Sequence, residues 1–123
     1  MAESAYDMAI ELFDEFKADD FFAPAFKPFS WVESVTTGSV FGGGTTVDTT
    51  HSGDCAELGG TAKAKMIATL NGISSTDKYI KGKVEEIEVP ALNQVVTFDG
   101  DTFTVVYSQV DPVGALFELF LRA

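Results

Sequence analysis

The chain has 123 residues, 46% of them hydrophobic, and a formal net charge of −11 at pH 7. This length is typical of one globular domain, and so strong a negative charge disfavours nucleic-acid binding because acidic surfaces repel phosphate groups. The chain has a single cysteine, and no apolar run approaches the about 20 residues of a membrane span. Its N-terminus lacks the basic residues of a signal peptide. These features predict one soluble domain from a reducing compartment.

Residues 1–18 are predicted to form an amphipathic helix. Tyr6, Ile10 and Phe13 recur at helical spacing and form an apolar stripe, and Ser4 is suited to cap the first turn. The opposite side is a candidate acidic face that consists of Asp7, Glu11, Asp14 and Glu15. We interpret this face as a solvated surface, because nothing in the segment would desolvate a carboxylate for acid–base catalysis.

The chain beyond Pro24 and Pro28 changes to a composition typical of β-strands, with Trp31 and several valines among serines and threonines. Residues 42–60 are rich in Gly, Thr, Asp and Ser, and they are predicted to form a long mobile loop or a projecting hairpin. Loops of such length in compact domains are often functional. The candidate docking residues of this segment are Gly42, Gly43, Gly44, Val47 and His51.

Two segments in the middle of the chain are apolar enough to lie in a core. Residues 64–73 are predicted to form a buried strand, and a short helix is the alternative, because periodicity alone does not separate the two in so short a run. Residues 79–89 are predicted to be extended. Their apolar alternation changes phase, which a β-bulge near Glu85-Glu86 would explain.

The last third of the chain is predicted to form a three-stranded antiparallel meander over residues 94–122. Two β-rich runs flank Asp99-Gly100-Asp101, where glycine supplies the positive φ that a tight hairpin turn needs. A second turn follows at Asp111-Pro112-Val113-Gly114, and the final strand comes after it. The elements together predict a single, mainly β domain over residues 1–123 with an N-terminal helix.

No motif in the sequence indicates a catalytic, metal or cofactor site. One short segment contains His51, Asp54 and Cys55, which would suit a metal half-site or a nucleophile with its base. The chain has no other His or Cys that could complete a metal site. The acids at Asp99-Gly100-Asp101 lack the further ligands of a calcium loop, and the glycines at 42–44 lack the lysine of a phosphate-binding loop. We therefore expect no enzymatic activity.

The final strand carries more apolar side chains than one buried face requires. Alternate positions from Ala115 onward form one apolar face, and the other face contains Leu116 and Phe120. Either the N-terminal helix covers these two side chains and completes a two-layer domain, or a neighbouring subunit covers them. The candidate interface accordingly consists of Leu116, Phe120 and Arg122.

The order of these elements resembles a family of bacteriophage proteins. The most similar part is residues 95–122 (VVTFDGDTFTVVYSQVDPVGALFELFLR), in which a hydrophobic strand, an Asp/Gly turn, an aromatic-Thr-Val strand, a Gly turn and an apolar strand ending in Leu-x-Leu follow one another. The chain is similar in this order to the small head-to-tail joining proteins, the neck or stopper proteins, of lambda-type tailed phages. The similarity is close over about thirty C-terminal residues and loose over the N-terminal helix.

This resemblance implies a small antiparallel β-barrel or sandwich that assembles in the virion, typically as a six-fold ring beneath the portal. Before assembly it would lie in the host cytoplasm. Its expected partners are further copies of itself and the portal, adaptor and tail proteins. DNA would pass nearby without specific binding, and no membrane is involved. The alternatives are a tail terminator or tail-completion protein, and a small β-barrel ligand-binding module with residues 42–60 as a lid.

Overall fold

A computed structural model describes residues 4–20, 22–38 and 43–123. The six strands in these ranges close into an antiparallel barrel in the order β1-β2-β3-β6-β5-β4. This architecture confirms the predicted mainly β fold with an N-terminal helix. The elements of the described residues are α1 (Ala5–Ala18), β1 (Phe26–Thr37), β2 (Thr45–Leu58), α2 (Gly60–Thr69), β3 (Lys78–Lys83), α3 (Val84–Ile87), β4 (Val95–Phe98), β5 (Asp101–Val110) and β6 (Leu116–Arg122).

Helix α1 confirms the predicted N-terminal helix over the part of it that is described, and residues 1–3 lie outside the described residues. The hydroxyl oxygen of Ser4 accepts a hydrogen bond from the backbone N–H of Asp7 at 3.1 Å, which caps the first turn. After the helix ends at Ala18, a short 3-10 turn that contains Pro24 directs the chain into β1.

Apolar side chains from the strands and from α3 fill the interior of the barrel. Successive side chains of a strand point to opposite faces, so one set from each strand meets inside. The centroid of the Phe29 ring lies 6.4 Å from that of Phe98 and 6.3 Å from that of Phe117. The interior set is Phe29, Trp31, Cys55, Ile80, Ile87, Val96, Phe98, Phe103, Val105, Phe117, Leu119 and Leu121. The barrel therefore has a packed core.

The prediction of a mobile loop over residues 42–60 is wrong where the structure describes this segment. Thr45–Leu58 form strand β2, which pairs antiparallel with β1 along its whole length, so the projecting hairpin is the correct alternative. The many threonines suit an exposed strand because they are β-branched. Cross-strand contacts add to the pairing, and Ser34 Oγ donates to Asp48 Oδ1 at 2.7 Å. Gly42 lies outside the described residues.

The two middle segments also differ from their predicted strands. Helix α2 replaces the strand expected over residues 64–73, in agreement with the helical alternative, because its alanines, lysines and methionine are strong helix formers. In the next segment, strand β3 ends at Lys83 and one helical turn, α3, follows in place of the predicted bulge. This turn changes the phase of the chain and places Ile87 in the core.

The predicted C-terminal meander is confirmed, because β4 pairs with β5 and β5 pairs with β6. Asp99 and Gly100 have φ angles of 51° and 85°, which are the left-handed values of a tight hairpin turn. In the second turn, a carboxylate oxygen of Asp111 accepts the backbone N–H of Ala115 at 2.8 Å. Both turns thus use the residues that the sequence placed there.

Gly82 of β3 is predicted to be a packing requirement of the barrel. A Cβ atom at Gly82 would lie 2.6 Å from Cζ of Phe117 and 2.8 Å from Sγ of Cys55. We expect Gly82→Ala to lower the free energy of unfolding by about 1–3 kcal/mol, measured by urea denaturation, because it overpacks the core. The matched control is Gly59→Ala, which meets no atom within 4 Å and should cost at most about 1 kcal/mol. Equal losses in the two variants would contradict this account.

Candidate functional site

An open apolar groove separates helix α1 from the outer face of the barrel, and we call it the α1 groove. Its volume is about 420 Å³. The helix contributes Leu12 and Phe16, which are 52% and 43% exposed, and the barrel contributes Leu58 and Leu116. Among the described residues that line the groove, Lys81 carries the one charge. The chain therefore leaves apolar surface uncovered along the length of the helix.

Helix α1 is held to the rest of the chain mainly by side-chain contacts at its edges. All residues of helix α1 are described, and Phe13 is the one among them that is buried. The ammonium group of Lys83 lies 2.8 Å from a carboxylate oxygen of Asp14, and that of Lys17 lies 2.9 Å from a carboxylate oxygen of Asp54. The Lys17–Asp54 pair is exposed on both sides, and pairs of this kind contribute about 0–1 kcal/mol each, whereas the Lys83 side chain is only 13% exposed. The helix is therefore attached less firmly than the strands.

The candidate acidic face of α1 is exposed, as predicted. Its four carboxylates line an open depression of about 570 Å³ together with Tyr6 and Glu85. The Tyr6 hydroxyl donates to a carboxylate oxygen of Glu85 at 3.1 Å, which connects α1 to α3. The four members, Asp7, Glu11, Asp14 and Glu15, are all exposed. The face is thus a concentrated negative surface that stays in contact with solvent.

Phe120 was predicted to belong to an interface, and this prediction is wrong because its side chain is fully buried. Its ring stacks on Tyr79 with centroids 4.7 Å apart and meets Tyr107 edge-on at 5.9 Å. A register shift between Val105 and Tyr107 in β5 places Tyr107 opposite Phe120. Neighbouring strands therefore contribute rings that pack against Phe120. Leu116, in contrast, is partly exposed and lines the α1 groove.

Arg122, the third candidate interface residue, makes contacts within the chain. Its Nε and Nη2 atoms donate to the two carboxylate oxygens of Asp77 at 3.0 and 2.8 Å, and Nη2 also donates to the carbonyl of Gly72 at 2.8 Å. Asp77 is buried, and it accepts the backbone N–H of Ser74. The hydrogen bonds from Arg122 hold the pKa of Asp77 below its usual value despite burial. Arg122 thus joins β6 to the loop before β3, and a partner contact there remains a prediction.

The outer half of the β1–β2 hairpin projects beyond the barrel. Strand β4 pairs with β1 over Phe29–Trp31, and β3 pairs with β2 over Ala56–Leu58. Beyond these pairs the two strands continue as a ribbon roughly 20 Å long, since each residue of a strand adds about 3.3 Å. The structure describes four of the candidate docking residues. Gly43, Gly44 and Val47 are exposed on this ribbon, and His51 is partly buried at its base.

The structure separates His51 and Cys55, which the sequence offered as a metal half-site or as a nucleophile with its base. His51 and Cys55 are four residues apart on an extended strand, a distance of about 13 Å. Burial, with a smaller contribution from the acids Glu86 and Asp54, raises the pKa of the Cys55 thiol, so the thiol stays protonated at neutral pH. Asp54 faces α1 and pairs with Lys17. These residues therefore do not form one site.

A different set of side chains meets at the mouth of the barrel, and we call Glu33, His51 and Glu88 the mouth cluster. Each offers one metal-ligating atom, and these atoms lie within 4.8 Å of one another. The Nε2 atom of His51 lies 3.2 Å from a carboxylate oxygen of Glu33 and 3.8 Å from one of Glu88. A nitrogen and two carboxylate oxygens in this arrangement are a candidate donor set for a metal ion.

Trp31 supports the mouth cluster from below. Its ring stacks on the His51 ring with centroids 4.8 Å apart. Its indole N–H donates to the carbonyls of Ile87 and Glu88 at 3.2 and 3.3 Å. Glu88 has a φ of 59°, a value that is uncommon for residues other than glycine. The sequence does not reveal the cluster, because its members are far apart along the chain and only the register of β1 and β2 places Trp31 opposite His51.

In comparisons with known proteins, no family model, no curated protein and no solved structure matched this chain. None of the helices in the described residues combines the length and the apolar character that crossing a membrane requires. The features of the described residues that bear on function are therefore the α1 groove, the projecting hairpin and the surface charge.

The contact between Arg122 and Asp77 is predicted to stabilise the fold. We expect Arg122→Ala to lower the free energy of unfolding at pH 7 by about 1.5–3 kcal/mol, because it leaves a buried carboxylate without its cation. The folded-state pKa of Asp77 is lowered, so this contribution is complete above the pKa of the unfolded chain and is lost as pH falls through the folded-state pKa. Urea denaturation at several pH values should therefore show the two proteins converging in acid.

Lys65→Ala is the control for Arg122→Ala, because it removes one exposed cation from the surface of α2. It should change the free energy of unfolding by less than about 0.5 kcal/mol. A loss in Arg122→Ala no larger than that of the control would contradict a structural role for the pair.

Proposed function

We propose that this chain is a structural virion-assembly protein of the phage head–tail junction, where it forms a neck ring that seals packaged DNA and docks the tail. The open α1 groove carries this proposal, because a contiguous apolar surface on a small domain usually marks a protein interface. The closed antiparallel barrel with an N-terminal helix agrees with the fold that the family resemblance implies. The proposed role involves no catalysis.

The chemistry of the α1 groove suits an apolar segment of a portal, adaptor or tail protein. Leu12 and Phe16 each keep about half of their surface in water. Covering either side chain would contribute roughly 1 kcal/mol, since complete burial of such a residue is worth about 1.5–3 kcal/mol. The neighbouring carboxylates of Glu11 and Glu15 favour a partner that carries a basic residue beside its apolar ones.

The weak attachment of α1 also suits a docking role. Helix α1 buries Phe13 alone, and its ion pair between Lys17 and Asp54 is exposed, so that pair opposes displacement of the helix only weakly. A helix that is already amphipathic and partly packed needs less ordering than a disordered segment would. These properties support a surface that adjusts as a ring is assembled.

The projecting hairpin offers a second contact between neighbouring copies in a ring. It exposes Val32, Val35 and Val47, which are 44%, 46% and 53% accessible.

Over its described residues, the ribbon beyond the barrel carries two charges, Glu33 and Asp48, and both are acidic. A hairpin of this charge would repel the phosphates of DNA that passes through the ring. The hairpin therefore supports passage of DNA without specific binding.

A tail terminator or tail-completion protein of the same particle would use the same groove and hairpin, so it remains the alternative. The ligand-binding module has less support. Its lid would be residues 42–60, of which Thr45–Leu58 form a strand, and its mouth would lead into a core filled by side chains. The structure thus favours a protein-assembly role over small-molecule binding.

Deletion of the gene from the phage or prophage genome that encodes it tests the proposal directly. Electron microscopy should then show DNA-filled heads and finished tails that do not join, and a plasmid copy should restore joined particles. Tails of uncontrolled length beside sealed heads would indicate the tail terminator. Joined, infectious particles in the deletion strain would contradict both roles, as would neighbouring genes that encode no portal, capsid or tail protein.

The α1 groove is predicted to be required for joining. We expect the double variant Leu12→Gln, Phe16→Gln to reduce the yield of joined particles at least about tenfold when it replaces the wild-type plasmid copy, since about 1.4 kcal/mol of lost contact weakens binding tenfold. The matched control is Leu92→Gln, Val95→Gln, which alters two side chains that are 57% and 55% exposed on another surface. Both variants should keep the melting temperature of the wild type. Equal complementation by the two would contradict the groove as the docking surface.

A further inference from the structure

We propose that the mouth cluster is a binding site for a divalent transition-metal ion, with the Nε2 atom of His51 and the carboxylates of Glu33 and Glu88 as its three protein ligands. The site lies on the barrel at the base of the hairpin, and the inference does not depend on the assembly role proposed above. Zn²⁺ is the reference ion for the site.

The distances from His51 to the two carboxylates are close to those that such an ion requires. Two ligands that each lie about 2.1 Å from Zn²⁺ in a tetrahedral arrangement are about 3.4 Å apart. The separations from His51 Nε2 to the two carboxylate oxygens are 3.2 and 3.8 Å. A small rotation of the Glu88 side chain, which is 63% exposed, brings its oxygen into range. A water molecule from the open mouth would complete the four ligands.

The protein positions these ligands before any ion arrives. The ring of His51 is held by its stacking on Trp31, and its side chain is only 15% exposed. The backbone of Glu88 is held by the Trp31 indole N–H, which donates to its carbonyl. Glu33 lies two residues after Trp31 on β1, so it points to the same face of the strand. The ligands thus come from three separate segments that share one supporting ring.

The donor set selects the class of ion. An imidazole nitrogen favours transition metals over Mg²⁺ and Ca²⁺, which prefer oxygen ligands throughout. The two carboxylates of the cluster attract a dication, and the net charge of −11 on the chain adds to this attraction. We therefore expect Zn²⁺ and Co²⁺ to bind and Mg²⁺ to compete poorly.

The single tryptophan provides a direct measurement, because Trp31 is in contact with the proposed ligand His51. Titration of the full-length chain without a histidine tag with Co²⁺, an open-shell ion that quenches nearby indole fluorescence, should quench Trp31 and saturate at one ion per chain. Zn²⁺ has a filled d shell, so it should restore the emission as it displaces Co²⁺. A thousandfold higher concentration of Mg²⁺ should not restore it.

The variants assign the ligands. Glu33→Gln and Glu88→Gln should each raise the Co²⁺ concentration for half-quenching by at least about tenfold, a loss found even for groups that only support a metal ligand. His51→Ala should abolish saturable quenching. Asp48→Asn, which removes another carboxylate from the same hairpin, should leave the titration unchanged and is the matched control.

The melting temperature of the wild type and the variants completes the test. Zn²⁺ should raise the melting temperature of the wild type and of Asp48→Asn, and it should raise that of Glu33→Gln and Glu88→Gln less, because binding to the folded state alone stabilises it. Quenching that does not saturate, that Mg²⁺ reverses as well as Zn²⁺ does, or that survives both glutamine substitutions would overturn the proposal. In each of those cases the cluster is a set of polar contacts between His51 and the two carboxylates that binds no metal ion.

Discussion

The unequal pairing of strand β1 determines the shape of the rest of the molecule. On one side β1 pairs with β2 along its whole length, and on the other it pairs with β4 over Phe29–Trp31 alone. These short pairs close the barrel and place Phe29 in its core. Beyond Trp31, β1 no longer pairs with β4, and β2 is its one strand partner among the described residues. The hairpin therefore leaves the barrel. Trp31 and His51 are then the inward-facing pair at the mouth, where the outgoing strands carry polar side chains into contact with water.

The outer face of β6 explains why α1 is free to leave a groove. In a two-layer domain, a helix usually covers the apolar outer side of a sheet. Here the rings of Tyr79 and Tyr107 pack against Phe120 from the neighbouring strands, so the most hydrophobic residue of that face is buried without α1. On β6 the helix has little left to cover except Leu116. It is therefore held by Phe13 and by ion pairs, and its remaining apolar side chains stay available to a partner.

The sequence predicted those elements that depend on neighbouring residues. The Ser4 cap of α1 and the Asp99-Gly100 turn were both found because their geometry involves only a few adjacent positions. The sequence left a mobile loop and a projecting hairpin open for strand β2, because this strand is exposed and has few apolar residues, and its pairing with β1 is what makes it a strand. Burial of Phe120 depends on a register shift in β5, and the mouth cluster depends on the register of β1 against β2. Neither register can be read from a local pattern.

The helical turn α3 lies between helix α1 and the mouth cluster. Towards α1, Lys83 just before it pairs with Asp14, and Glu85 accepts the hydroxyl of Tyr6. Towards the hairpin, Glu86 accepts the backbone N–H of Asp54 at 3.0 Å, and Glu88 belongs to the mouth cluster. A partner that displaces α1 must break the first two contacts, whereas an ion at the mouth fixes the other end of the same turn. Helix α3 has only four residues and its last one, Ile87, lies in the core, so the contacts to α1 and those to the hairpin are anchored at one point of the barrel.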